Sequence, residues 1–149
     1  MTHHDRTIRC RPGGFTLLEV LVVIIVLGIL AALVGPRIIG RVGEAQTTAA
    51  KTQIEMLSVA LDSYRLDNGY YPTTQQGLAA LRTMPTTSPA PHNWRGPYLR
   101  RDVPLDPWDR PYMYASPGEH NPTSFDLISL GRDGRPGGEG DDADITSWQ

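Results

Sequence analysis

The chain has 149 residues, room for one domain plus an anchoring segment, with 14 Lys and Arg set against 16 Asp and Glu. A formal net charge of −2 gives no basic excess of the kind nucleic-acid binding requires, so no nucleic-acid partner is expected. The one cysteine, Cys10, stands in the N-terminal segment, and a chain cut after that segment would hold no disulfide.

In chain order, Arg6, Arg9 and Arg11 lead to the pair Gly13-Gly14, and an apolar run from Phe15 to Val34 begins at once, with Thr16 and Glu19 its only polar residues. As a helix at about 1.5 Å per residue it would be roughly 30 Å long, the thickness of a bilayer core. Membrane lipid is therefore an expected partner. The run is too long for the apolar part of a secretory signal, and Ala31-Ala32 makes a poor signal cleavage site. Basic residues before the run favour an N-terminus inside, a bias weakened by Arg37 and Arg41 just after it.

Glu19 is the anomaly. An ionised side chain in hydrocarbon costs on the order of 2.5–3.5 kcal/mol at a helix centre and less near an end. Two accounts fit it. The carboxylate snorkels at the membrane edge, or it meets a positive charge inside the membrane. Cleavage after Gly14 would supply that charge as the freed amine of Phe15, four residues before Glu19.

Past the apolar run, Ile38, Val42, Ala45, Ala49, Ile54, Leu57, Leu61 and Tyr64 recur mostly at three- and four-residue spacing. Glu44, Thr48, Lys51, Glu55, Asp62 and Arg65 take the other face, which predicts one helix from about Phe15 to Leu66. Asp67-Asn68-Gly69 ends it, with the glycine free to adopt a left-handed cap. Pro36, near Gly28 and Gly35, removes the hydrogen bond to the Ala32 carbonyl and predicts a kink. The chain thus divides into residues 1–14, a membrane half at 15–36 and a head at 37–149.

In the head, Tyr70-Tyr71-Pro72 makes a turn and Thr73 caps a short helix through about Leu81. Residues 83–97 read as a loop rich in Pro, Thr and Ser. Tyr112–Ala115 and Phe125–Leu130 read as strands of an antiparallel hairpin turning over Ser116–Thr123. A small sheet packed on the amphipathic helix gives an α+β fold. No catalytic residue is expected. His92 and His120 are the only histidines after the leader and read as solvated, and no nucleophile elbow, phosphate loop or HExxH zinc motif is present. Asp62 and Asp67 read as surface and helix-terminus charges.

The tail from Leu130 to Asp144 gathers carboxylates in a glycine-rich loop. Flexible backbone and clustered carboxylates suit a hard cation that takes six to eight oxygens, Ca²⁺ rather than Zn²⁺. It is not an EF-hand, because Arg135 and Gly137 occupy loop positions where Asp or Asn would ligate. Gly137–Asp142 matches the opening of a calcium nonapeptide, but Asp144 breaks that pattern and a lone copy cannot stack. A solvated acidic loop fits these residues equally well.

Gly14-Phe15-Thr16-Leu17-Leu18-Glu19 resembles the processing site of type IV pilins and pseudopilins. The resemblance implies cutting after Gly14 and methylation of Phe15 by a prepilin peptidase and methyltransferase. It also implies pairing of Glu19 with the N-terminus of a neighbouring subunit during assembly, and a hinge over Gly28–Pro36. Tyr71–Leu78, Trp94–Leu99 and the stretch from Pro104-Leu105-Asp106-Pro107-Trp108 to Tyr114 are similar to the major pseudopilins of type II secretion systems. Asp109 stands where that family usually has glycine.

The likeness implies a type IV pilin-like fold and a self-assembling filament subunit in the inner membrane with its head in the periplasm. It also implies minor pseudopilins and an inner-membrane assembly platform as partners. It further implies Ca²⁺ in the C-terminal loop, held by Asp133, by some of Asp141, Asp142 and Asp144, and by the carbonyls of Leu130 and Arg135. A minor pseudopilin, a type IV pilin or a single-pass membrane-anchored calcium-binding module are the other readings.

Overall fold

The computed structural model of the chain describes residues 14–148, the side chains of residues 34–41 excepted. It divides into two units, Met1–Gly40 and Arg41–Gln149. Helix α1, Leu17–Asn68, passes from the first into the second.

In the first unit, Thr16 sits just before α1 and its Oγ1 accepts the Glu19 amide at 3.2 Å. This is one half of a capping box, with the Glu19 carboxylate in the first turn, where the helix dipole favours an anion. Every described side chain from Phe15 to Leu33 is exposed, Leu17 at 85% and Ile29 at 64%. Among the described residues no helix is long and apolar enough to cross a membrane. Phe15, counted in the expected span, precedes the helix. Residues 1–13 of the leader lie outside the described residues. Helical backbone continues through Pro36, but its side chain, and the kink and hinge expected there, fall outside as well.

In the second unit, α1 buries Gly43, Ala50, Ile54, Leu57, Ala60, Leu61 and Tyr64. The predicted stripe is therefore right from Ile54 onward. Toward the N-terminus it selected the wrong neighbours, because Val42, Ala45 and Ala49 are exposed. The buried face there runs through Gly43, which has no side chain to register in a hydrophobic pattern. Gly69, at φ 83°, ends the helix and donates to the Arg65 carbonyl at 2.7 Å.

The short helix expected from Thr73 is instead a turn followed by a 3₁₀ segment, Leu78–Leu81. Thr73 and Gln76 cap each other reciprocally, at 3.2 Å through the Thr73 hydroxyl and 3.0 Å through the Gln76 carbonyl. Gly77 at φ 61° then breaks the α-helical path. Asp109 is the one residue other than glycine with positive φ among those described, at 62°, a left-handed turn that aspartate tolerates.

Strands β1 (Met113–Ala115) and β2 (Asp126–Ser129) pair antiparallel, with Tyr114 opposite Leu127. A third strand not foreseen, β3 (Ile145–Thr146), pairs with the other edge of β2, Ile145 opposite Ser129. Two residues are too few for an alternating pattern to show in sequence. Leu127, Ile145, Phe125 and Tyr112 pack with Leu78, Leu81, Leu99 and the buried face of α1. The aromatics serve core and turn. Tyr71 meets Phe125 edge-on at 5.0 Å, and the Trp94 indole donates to the Ala80 carbonyl at 3.0 Å.

Asp62 is exposed and Asp67 lies in the last turn of α1, as expected, and they accept hydrogen bonds from the Tyr71 and Tyr98 hydroxyls, at 2.8 and 2.9 Å. His120 is not simply solvated. Its ring stacks on Trp148 with centroids 4.0 Å apart and planes within 9°, and its Nδ1 lies 3.3 Å from Asp126 Oδ2.

The packing sets a first expectation. Leu61→Ala removes a fully buried side chain and should cost about 2–5 kcal/mol in urea unfolding, whereas Val59→Ala, on the exposed face, should stay within about 0.5 kcal/mol. Equal losses would place the core elsewhere.

Asp126 sets a second. Burial raises its pKa, but the His120 amide (2.8 Å), the His120 ring and the Asn121 amide (3.1 Å) outweigh that and hold the carboxyl below its ordinary value. The folded state then binds fewer protons than the unfolded state, whose carboxyl titrates near about 3.9. The stabilisation is present above that pH and is lost as pH falls through the lower, folded value. The wild-type melting temperature should therefore fall toward that of Asp126→Asn as pH drops below about 4 through the lower, folded value. A gap that stays constant over this range would dismiss the assignment.

Candidate functional site

Two places carry chemistry. At the N-terminal motif, Gly14, Phe15 and Thr16 precede α1 in non-helical backbone, and Phe15 is 82% exposed. The peptide bond after Gly14 is thus open to a protease, and Glu19 stands exposed one helical turn further on. The sequence reading weighed Glu19 only as a charge. Its place three residues after a capping threonine was visible in the same letters and gives it a second role.

The other place is the loop joining the adjacent antiparallel strands β2 and β3. Asp106 prepares its approach. That buried carboxylate accepts the amides of Trp108 (3.0 Å) and Arg110 (2.9 Å) and the Ser129 hydroxyl (2.7 Å). The turn it organises sends the Arg110 guanidinium to the Gly131 carbonyl, and a side chain at Gly134 would collide with that guanidinium. Sequence reasoning had not singled out Arg110 or Asp106 as supports of the loop. Neither bond has a periodic signature.

The loop then folds on itself. The Gly134 amide donates to the Leu130 carbonyl at 3.2 Å, and Asp133 Oδ1 accepts the Arg135 amide at 3.0 Å. Gly131 and Gly138, both at positive φ, lie so close to the backbone of Asp142 that any side chain would clash with it. The segment Gly140–Asp142 makes a 3₁₀ turn. The Asp141 carboxylate lies against Gly43 of α1, where a side chain would not fit. Asp144 closes the loop, accepting the Gly137 amide through Oδ2 at 2.8 Å while its own amide donates to the Gly137 carbonyl at 3.1 Å.

Among the described residues no three of His, Cys, Asp and Glu converge as a ready metal cluster. The carboxylates named from sequence occupy one loop but divide into two sets. Asp141 and Asp142 face Arg132, with Asp142 held at 2.8 and 3.2 Å and Asp141 at 3.6 Å. Asp133 and Asp144 instead accept backbone amides, those of Arg135 and Gly137. Asp144 Oδ1 is buried without a hydrogen-bond partner, as is the nearby Thr146 Oγ1. A shallow cavity lined by Gly137, Gly138, Asp144, Thr146, His120 and Trp148 adjoins these atoms.

Comparison with known proteins bears on both places. The family model for type II secretion system protein G matches residues 37–148, and that for the prokaryotic N-terminal methylation motif matches residues 9–35. The type II secretion system core protein G of Pseudomonas aeruginosa is 50% identical over 140 residues, 94% of this chain and 97% of its own. That of Vibrio cholerae is 52% identical over 139 residues, 93% of this chain and 92% of its own. A crystal structure of the major pseudopilin from the type 2 secretion system of enterohaemorrhagic Escherichia coli shares 40% identity, with a TM-score of 0.63 over 74% of this chain and 92% of that one. Joining the methylation motif to this α+β head, the chain belongs to the type II secretion system protein G family, the major pseudopilins.

Proposed function

We propose that this chain is the principal subunit of a type II secretion pseudopilus, made as an inner-membrane precursor with its head in the periplasm and polymerised after cleavage behind Gly14. The observation that carries the proposal is the first unit. Its helix leaves every described apolar side chain from Phe15 to Leu33 uncovered, so it needs an apolar surrounding. Lipid supplies one before assembly, and the helices of other copies supply one afterwards. Minor pseudopilins, the assembly platform and the prepilin peptidase complete the set of partners.

Glu19 separates this reading from a plain membrane-anchored module. Glutamine still serves a capping box but carries no charge. Glu19→Gln should therefore accumulate at the wild-type level and be cut after Gly14, yet give no cross-linked multimers, as should Glu19→Leu. Normal multimers of both variants would count against a charge pair in assembly and favour the plain anchor.

We propose further that the β2–β3 loop holds a structural calcium ion. The buried, unpartnered Asp144 Oδ1 is an acceptor that lacks a cation or donor, which supports the fit. Asp133 and some of Asp141, Asp142 and Asp144, with the carbonyls of Leu130 and Arg135, would supply an all-oxygen donor set of the kind calcium takes. The Leu130 carbonyl keeps a second lone pair beside its bond to Gly134. Calcium there would tie the end of β2 to the start of β3 and contribute to folding rather than catalysis.

Calcium at about a hundred times its dissociation constant should stabilise the protein by about 2.7 kcal/mol, seen as a higher melting temperature that chelator reverses. Asp144→Asn should lose most of that response. A melting curve indifferent to calcium and chelator would remove the site.

A further inference from the structure

Beyond β3 the chain is tied down by side chains rather than by strand. β3 has two residues, and after it the Ser147 amide donates to the Leu127 carbonyl at 2.9 Å. The Ser147 hydroxyl accepts the Leu127 amide in return, at 3.1 Å. Trp148 then lies flat on the His120 ring, with centroids 4.0 Å apart and planes within 9°. Stacked rings at that separation attract one another and shed water from the shared faces. His120 belongs to the turn between β1 and β2, so the stack joins that turn to the far end of β3.

His120 is itself held. The Asp126 carboxylate, 4% exposed, accepts the His120 amide at 2.8 Å, and its Oδ2 lies 3.3 Å from His120 Nδ1. The same carboxylate accepts the Asn121 amide at 3.1 Å and the Asn121 side-chain nitrogen at 3.2 Å. A side chain at Gly118 would collide with Asp126, so the turn closes tightly around that carboxylate. Backbone and ring of His120 are both fixed to β2, and a partner on one imidazole nitrogen sets the plane of the ring.

This wall borders the β2–β3 loop. His120 and Trp148 line one cavity together with Gly137, Gly138, Asp144 and Thr146. The unpartnered buried oxygens Asp144 Oδ1 and Thr146 Oγ1 belong to two residues of that lining. Between them stands Ile145, 3% exposed, which anchors the backbone in the core. Trp148 anchors the same backbone two residues beyond Thr146.

We propose that the His120–Trp148 stack is a positioning element for the metal site, holding β3 on β2 from its outer end and so fixing where Asp144 and Thr146 present their oxygens. The proposal rests on the calcium reading above. Neither ring is a ligand. Both act through a two-residue strand, which is too short to fix its own ends by backbone pairing.

The test uses the full chain in detergent as wild type, Trp148→Ala, Trp148→Phe, His120→Ala and the double alanine variant. Calcium affinity is measured by isothermal titration, and thermal melts in chelator record stability apart from the metal. Trp148→Ala should weaken calcium binding roughly ten- to a hundredfold, the scale on which groups behind a ligand act. His120→Ala should do the same, and the double variant should bind about as weakly as either single one, because the two rings make one contact. Trp148→Phe keeps a flat ring and should return the affinity to within about threefold of wild type. Trp148→Leu, apolar but without a stacking face, replaces the alanine variant if that one fails to melt cooperatively, and should bind as weakly.

A stack that serves folding alone would lower the chelator melts and leave calcium affinity at the wild-type value, which would overturn the positioning role and spare the calcium reading. Affinity losses that add in the double variant, or a Trp148→Phe variant as weak as Trp148→Ala, would overturn the stack as the agent. A wild type with neither calcium heat nor a calcium shift of its melt would dismiss both readings together.

Discussion

One constraint governs the head: its sheet is too small to exist alone. Strands of three, four and two residues cannot bury enough apolar surface for independent stability. They persist because Leu127, Ile145 and Tyr112 share one core with Leu57, Leu61 and Tyr64 of α1. The helix supplies the wall and the sheet supplies the cover. Several polar bonds tie the segments between them back to the same surface, among them Tyr98 to Asp67 and Tyr71 to Asp62. The head is thus built outward from α1, as suits a part carried at the end of a helix with other work to do.

The long loop is the consequence of the shortest strand. β2 and β3 are neighbours in the sheet, yet Leu130 to Asp144 lies between them, far beyond the few residues a hairpin uses. Closing so long a loop costs entropy that a two-residue strand cannot offset by itself. The chain meets this with contacts internal to the loop. Glycines at 131 and 138 allow backbone to lie on backbone, Arg110 fastens the entry, and Asp144 fastens the exit. The Arg132 fork belongs to the same problem, since it ties the carboxylate of Asp142 into a cross-link.

How much of this was legible in the sequence follows from which interactions repeat. The helix boundary at Asn68-Gly69, the hairpin and the buried residues from Ile54 to Tyr64 rest on periodicity and end signals, and they were readable. The face through Gly43 was hidden because glycine is silent in a hydrophobic pattern. The strand β3, the Asp106–Ser129 bond and the reach of Arg110 to Gly131 were hidden because each joins residues far apart in sequence, with no spacing rule. The loop carboxylates could be named, but letters alone could not divide them. That division needed the positions of Arg132 and of an oxygen without a partner.

The first unit shows how one residue answers to two demands. As the third helical residue after Thr16, Glu19 stabilises the start of α1 wherever that helix resides. A glutamine would serve the cap almost as well, so the cap does not by itself require a charge. The neighbouring apolar run makes a charge costly, which glutamine would avoid. Under the proposed assembly, the chain end freed by cutting after Gly14 would offer a positive group to offset that cost. The backbone before α1 is open at that bond, and Phe15 is exposed beside it. Capping and the helix dipole therefore account for an acid at position 19, and pairing with a freed chain end, as proposed for assembly, would give the same charge a second use.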